Sequence, residues 1–323
     1  MPLFQRSALK EGVSPREAFG WALFDAANSG YSTVVLTAVF NAYFVSTVCG
    51  DASWATFLWS CAVGAANAIS MLLMPAIGRV ADLTATKKKW LIAATILCVS
   101  ATALLALSGP GTYILSVAML IVSYIGYNVG ESLNSAFLPE ISRPEAVGKV
   151  SGWALGYVGG LITLGFCLAV VTAGQTQGLG MDSLVAATNI ITAAVFLVVS
   201  LPVFIWLKER AVPQVHGVAQ LKTAMAQDVD KGKTAETLMK FVDFRYLVVC
   251  GFFYQCGVAT VITLAAVYAS AVMGFGLTET LVMVLLVNIT AAVGAFGFGY
   301  IQDRIGHKSA LALTLLLWIA MVA

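Results

Sequence analysis

"GYIQDRIGHK", residues 299–308, places an acid, two cations and a histidine between two apolar stretches. A relative, "GRVADLTATKKK", occupies residues 78–89. Aligning Gly78 with Gly299 sets Asp82 against Asp303 and Lys87 against Lys308. Each copy follows a long apolar run, so the chain repeats one local arrangement at two widely separated places.

Composition says what surrounds these loops. The chain is 59% hydrophobic and 11% charged, with mean hydropathy +0.89, whereas soluble domains carry about 25% charged residues. A soluble fold of 323 residues cannot hide that much apolar surface, so lipid must be its partner. Runs near the spanning length of about 20 residues are Phe19–Val48, Trp54–Ile77, Trp90–Leu107, Tyr113–Leu138, Val150–Val171, Ser183–Trp206, Tyr246–Val272 and Leu277–Ile301. A ninth opens near Ser309 and is too short to span comfortably. Without period-two alternation these are helices, not barrel strands.

All 18 Lys and Arg fall before helix 1 or in the loops 2–3, 4–5, 6–7 and 8–9; the opposite loops have none. The positive-inside rule then predicts a cytoplasmic N-terminus, and no signal peptide is evident. The six cysteines show no CxxC or Cys/His spacing and read as packing residues. No phosphate loop, nucleophile elbow or metal cluster appears, so no cofactor, metal or enzymatic activity is expected.

Six helices, a polar linker at Leu207–Asp243, then a second set opening the same way is the layout of parallel transporter repeats. The expected organisation is a six-helix half at 1–206, a cytoplasmic linker at 207–243 and an incomplete second half at 244–323. On these loops the chain resembles the major facilitator superfamily. The second copy fits its loop signature at Gly299, Asp303, Arg304, Gly306 and Lys308; the first keeps Gly78, Asp82 and Lys87 but has Leu83 and Ala85 for the Arg and Gly. "WALFDAANSGYSTVVLTAVF" (21–40), "NSAFLPEI" (134–141) and "VSGWALGYVGG" (150–160) resemble one branch, the vacuole-effluxer-like family. Its fungal members are associated with amino-acid export from the vacuole. The resemblance implies an all-α, two-half membrane bundle. The superfamily has twelve helices and this chain stops inside the ninth, which reads as a truncation.

The charged decamer has two readings. One is a solvated turn. The other is a gate: an Asp ending one helix can cap the N-terminal amides of a facing helix and meet its positive dipole end. The resemblance implies that the second-half loop faces the start of helix 5. That start carries Gly148, Gly152, Gly156 and Gly160, and helix 8 carries Ala291, Ala295 and Gly299. Small residues at every fourth position allow close backbone approach.

Asp25 and Glu131 lie within spanning segments, where a charge is costly and usually functional. Asp25 shares its stripe with Asn28, Ser29 and Ser32, and Glu131 with Tyr124, Tyr127, Asn128, Asn134 and Ser135. Each acid sits about 10 Å in from its helix end, and Glu131 is expected to lie deeper. Tyr127, Asn128 and Asn134 are its expected hydrogen-bond partners. Both acids are either structural or form a solute- and proton-binding site, with Gln255 and Asn288 as weaker candidates.

The function expected is secondary transport of a small organic solute, such as an amino acid, by alternating access with proton coupling. A non-transporting sensor or an inactive remnant is the alternative. The expected partners are the solute, protons and the lipid bilayer, with no nucleic acid; a monomer in a bacterial cytoplasmic membrane is expected.

Overall fold

A computed structural model describes residues 4–215, 217, 219–221, 240–271, 273–274 and 277–322. Its helices in chain order are α1 (Pro15–Val48), α2 (Ala55–Thr84), α3 (Lys87–Leu107), α4 (Tyr113–Ile141), α5 (Pro144–Thr176) and α6 (Met181–Trp206). Then come α7 (Val242–Ala271), α8 (Leu277–Ile305) and α9 (His307–Val322). Among the described residues eight are long and apolar enough to cross a membrane and α9 is shorter, as the apolar runs predict. The described residues are all-α, in the pattern of a multi-pass membrane protein. Most of the polar linker lies outside the described residues.

By contacts the chain divides into two compact units. One is Met1–Val212 with Val287–Ala310; the other is Pro213–Leu286 with Leu311–Ala323. Gln255 lies on α7, in the second unit.

In the first unit α1 packs against α4, α5 and α6, while α4 also packs against α2 and α3. Phe24, Tyr31, Phe40 and Phe44 turn the inner face of α1 into the core. Phe24 meets Phe196 of α6 edge-on at 6.1 Å, and the buried Tyr31 hydroxyl pairs with Ser123 of α4 at 2.8 Å. The outer faces are equally apolar: Phe57, Leu72, Ile114 and Ile205 are each at least 70% exposed. Only a hydrocarbon surround makes that arrangement stable, since water would penalise every such face.

Helices α1 and α5 depart from regular geometry. Ser14 and Glu17 form a reciprocal capping box at the start of α1, and Pro15 sits at its first position. Farther along, α1 loosens into wide turns in which the Val39 amide bonds to Val34 and the Cys49 amide to Phe44, five residues back. Helix 5, expected as one rod, is broken. Val147–Gly152 and Gly156–Thr176 are separate helical segments, and Trp153–Leu155 between them lies outside both. The break is closed by short turns, Trp153 to Val150 and Ala154 to Ser151.

The segment before α1 is stapled to the loop after α4. The Lys10 amide donates to Ile141 and the Arg143 amide to Ala8, both at 3.0 Å. Glu17, only 2% exposed, is neutralised by Arg210 at 2.7 Å, as a buried carboxylate requires.

Candidate functional site

Two groups of polar residues lie in the first unit. The first is at the end that carries the basic loops. There the Asp303 carboxylate accepts the Gly148 amide on Oδ1 at 2.9 Å and the Lys149 amide on Oδ2 at 2.8 Å. These amides open α5, where no carbonyl one turn back is available to them. A carboxylate supplies acceptors and meets the positive end of the helix dipole. The backbones approach closely: a Cβ on Gly299 would sit 2.7 Å from the Gly148 carbonyl oxygen and 3.0 Å from the Gly152 Cα. Around this contact, Lys149 reaches over the Tyr300 ring at 5.1 Å and bonds Gln5 at 2.7 Å. Arg304, Gly306 and Lys308 are exposed beside it.

The first loop copy is built differently. Asp82 takes no helix-opening amide. It pairs with the side chain of Lys87, the first residue of α3, at 3.0 Å, and Lys87 also binds Glu140, at the end of α4, at 2.9 Å. Lys88 is fixed too: its ammonium donates to the Leu207 carbonyl at 2.6 Å and its amide to Glu209 at 2.8 Å. Glu140 and Glu209 were not singled out from the sequence. An acid beyond a helix end gives no signal of which cation it will meet.

The second group is the carboxylate pair. Asp25 on α1 and Glu131 on α4 interact electrostatically. Tyr127 interacts with Glu131 and with Ser32, and its ring lies tilted against those of Tyr31 and Tyr124, with centroids 5.4 and 5.5 Å apart. The Asp25 carboxylate lies against Gly156 of α5, whose amide acts on it electrostatically. A Cβ on Gly156 would collide with Asp25 Oδ2 and sit 2.7 Å from the Ser29 hydroxyl.

Two expectations need correction here. The stripe on α4 does not converge on Glu131, which is exposed while Asp25 is half-buried. Asn128 donates to Asn67 and Ser70 of α2 at 3.1 and 3.2 Å. Asn134 is exchanged with Trp21: the indole donates to the Asn134 carbonyl at 2.8 Å and the Asn134 amide group to the Trp21 carbonyl at 3.4 Å. Steps of three residues rotate about 60° around a helix, so Asn128 and Asn134 lie on opposite flanks of Glu131 and meet different helices. Asn28 is 3% exposed, inside the bundle.

The second correction concerns the glycines. Gly148 and Gly152 face Gly299 and Ala295 of α8, whereas Gly156 and Gly160 face Asp25, Ser29 and Thr33 of α1. The four would share one face only in an unbroken helix. Asn288 approaches this second face, its Oδ1 3.4 Å from where a Gly160 Cβ would lie. Asn67, which sequence reasoning missed, was detectable as a lone amide within the apolar α2.

A profile of the family described as vacuole effluxer Atg22 like matches residues 40–151 and 148–323. This chain belongs to that family. It is also similar to an uncharacterized MFS-type transporter, YxiO, of Bacillus subtilis (strain 168), with 27% identity over 307 residues. That match covers 92% of this chain and 70% of the relative. Both loop copies, Glu131 and the broken α5 fall within the family match, whose first residue Asp25 precedes.

Proposed function

We propose that this protein moves a small organic solute carrying an ammonium group, such as an amino acid, by alternating access, with protons as the coupling ion. The coarse class, a transporter of the major facilitator type, follows from family membership and similarity to the MFS-type relative. Solute and coupling are our reading. The observation that carries it is the pairing of Asp25 and Glu131 across α1 and α4. Two carboxylates whose charges act on each other resist carrying two negative charges at once. A proton or an ammonium relieves that repulsion, and competition between them links solute movement to proton movement. The half-buried Asp25 is the counter-ion for the solute. The exposed Glu131, beside the Tyr127 hydroxyl, exchanges the proton.

In the same reading the division at 1–206, 207–243 and 244–323 is that of two transporting halves and their linker. The basic loops face the cytoplasm by the positive-inside rule, and Gly78, Asp82, Lys87, Gly299, Asp303, Arg304, Gly306 and Lys308 form the cytoplasmic gate. The Asp303 contact with α5 is its closed state.

The experiment is uptake into proteoliposomes, screened with isotope-labelled solutes under an imposed pH gradient. Glu131→Gln should abolish uphill, pH-driven accumulation and leave solute exchange intact. Asp25→Asn should weaken solute binding at every pH. Full proton-driven accumulation by Glu131→Gln would show the acid to be structural and end the coupling reading.

A further inference from the structure

The two aspartates described above meet the same helix. Asp303 caps the first segment of α5 at Gly148 and Lys149. Asp25 stands at the first residue of the second segment, Gly156. Between them lie only Trp153–Leu155, which belong to neither segment.

A break inside a spanning helix needs a reason. It leaves the opening amides of the second segment without carbonyls one turn back, so they need acceptors from elsewhere. The first regular bond of the new segment is Gly159 to Leu155 at 2.9 Å, so the amides before it depend on other acceptors. The Asp25 carboxylate is there, with the Ser29 hydroxyl beside it. Residue 156 must be glycine for this approach, since a Cβ would occupy the space of Asp25 Oδ2. The groups facing Asp25 are Ser29 on its own helix, Gly156 of α5 and Glu131 of α4.

We propose that Asp25 is a positioning residue for α5: by capping Gly156 it holds the helix broken at Trp153–Leu155, and so sets the segment whose amides Asp303 grips. The inference rests on the reading of Asp25 as the solute's counter-ion. A solute ammonium or a proton that takes the carboxylate competes with the Gly156 amide for it. The break then loses its cap, the two segments are free to realign, and the Gly148–Lys149 amides move relative to Asp303. The solute site and the gate are thereby two ends of one helix, and that broken helix is the two-state element that coupling requires.

The test uses the full chain in a cysteine-free background, in lipid, with spin labels at Glu145→Cys and Lys308→Cys, both exposed. Inter-label distances report whether α5 and the end of α8 are together. Asp25→Ala removes the cap, and Gly156→Ala displaces it while keeping the carboxylate. Each should raise the separated population about fivefold, the ratio that corresponds to loss of a typical N-cap. Asp25→Asn keeps an oxygen that accepts from the Gly156 amide and should leave the distance unchanged. Unchanged distances in both Asp25→Ala and Gly156→Ala would overturn the proposal. So would a shift in Asp25→Asn as large as in Asp25→Ala, because charge rather than capping would then be at work. Solute binding measured on the same samples tests the counter-ion reading separately: a normal affinity in Asp25→Asn removes that reading and leaves the distance result standing.

Discussion

The two loop copies share Gly, Asp and Lys at matching positions, yet they do different work. In the second copy Asp303 leaves its own loop and receives two amides of α5. In the first, Asp82 stays at home: its side chain is 62% exposed and pairs with Lys87 of the same loop. The glycines differ in the same sense. Gly299 is pressed against Gly148 and Gly152, while no atom lies within 4 Å of where a Gly78 Cβ would be. Similar residues at similar places therefore have values set by what stands opposite them. The second copy has a helix start to grip; the first, in this structure, has only its own lysine.

The largest expected difference between the copies follows from the aspartates. Asp303→Ala removes the acceptor from two amides at a helix end and should cost about 3 kcal/mol of association between α5 and α8. Asp82→Ala breaks one exposed ion pair and should cost under about 1 kcal/mol. Thermal unfolding of the purified protein in detergent measures both, and equal losses would remove the asymmetry.

The glycines give the next largest effect. Gly299→Ala forces a methyl group to within 2.7 Å of a backbone oxygen and should destabilise by about 2 kcal/mol, in the range of overpacking. Gly78→Ala meets open space inside a helix and should stabilise by up to about 1 kcal/mol. Opposite signs in the same melting assay are the expected outcome; a neutral Gly299→Ala would show that α5 and α8 give way easily.

The smallest effect concerns residues where the copies differ. Ala85 and Gly306 occupy the same motif position and both are left-handed, with φ of 52° and 83°. The turn demands that conformation whichever residue fills it. Ala85→Gly should therefore stabilise by about 1 kcal/mol and Gly306→Ala should destabilise by about as much. Equal melting temperatures for Ala85→Gly and the parent would mean that the loop has relaxed around the alanine.

Within the carboxylate site, legibility in the sequence stopped at the helix. Polar stripes at helical spacing correctly marked Asp25 and Glu131 as unusual, because an acid within an apolar run is rare. The pairing of these acids needed two helices. That Asp25 is half-buried and Glu131 exposed was decided by packing, because depth along a helix says nothing about which neighbour covers a side chain. Asn128 and Asn134 were assigned to Glu131 by spacing alone, and the packing of α2 and α1 drew them elsewhere. Asn67, Glu140 and Glu209 became visible only through their partners.

The sequence by itself determined the all-α membrane architecture, the number and approximate places of the long helices, and the repeated loop with its Gly and Asp. Those properties depend on apolar length, charge placement and local spacing, which are one-dimensional. Only the tertiary structure decided that α5 is two segments and not one, that Gly148 and Gly152 serve α8 while Gly156 and Gly160 serve α1, and that Asp303 and Asp25 stand at the two helix starts. An apolar run looks the same whether its backbone amides are satisfied four residues back or by a carboxylate from another helix. Only the placement of that carboxylate tells the two apart.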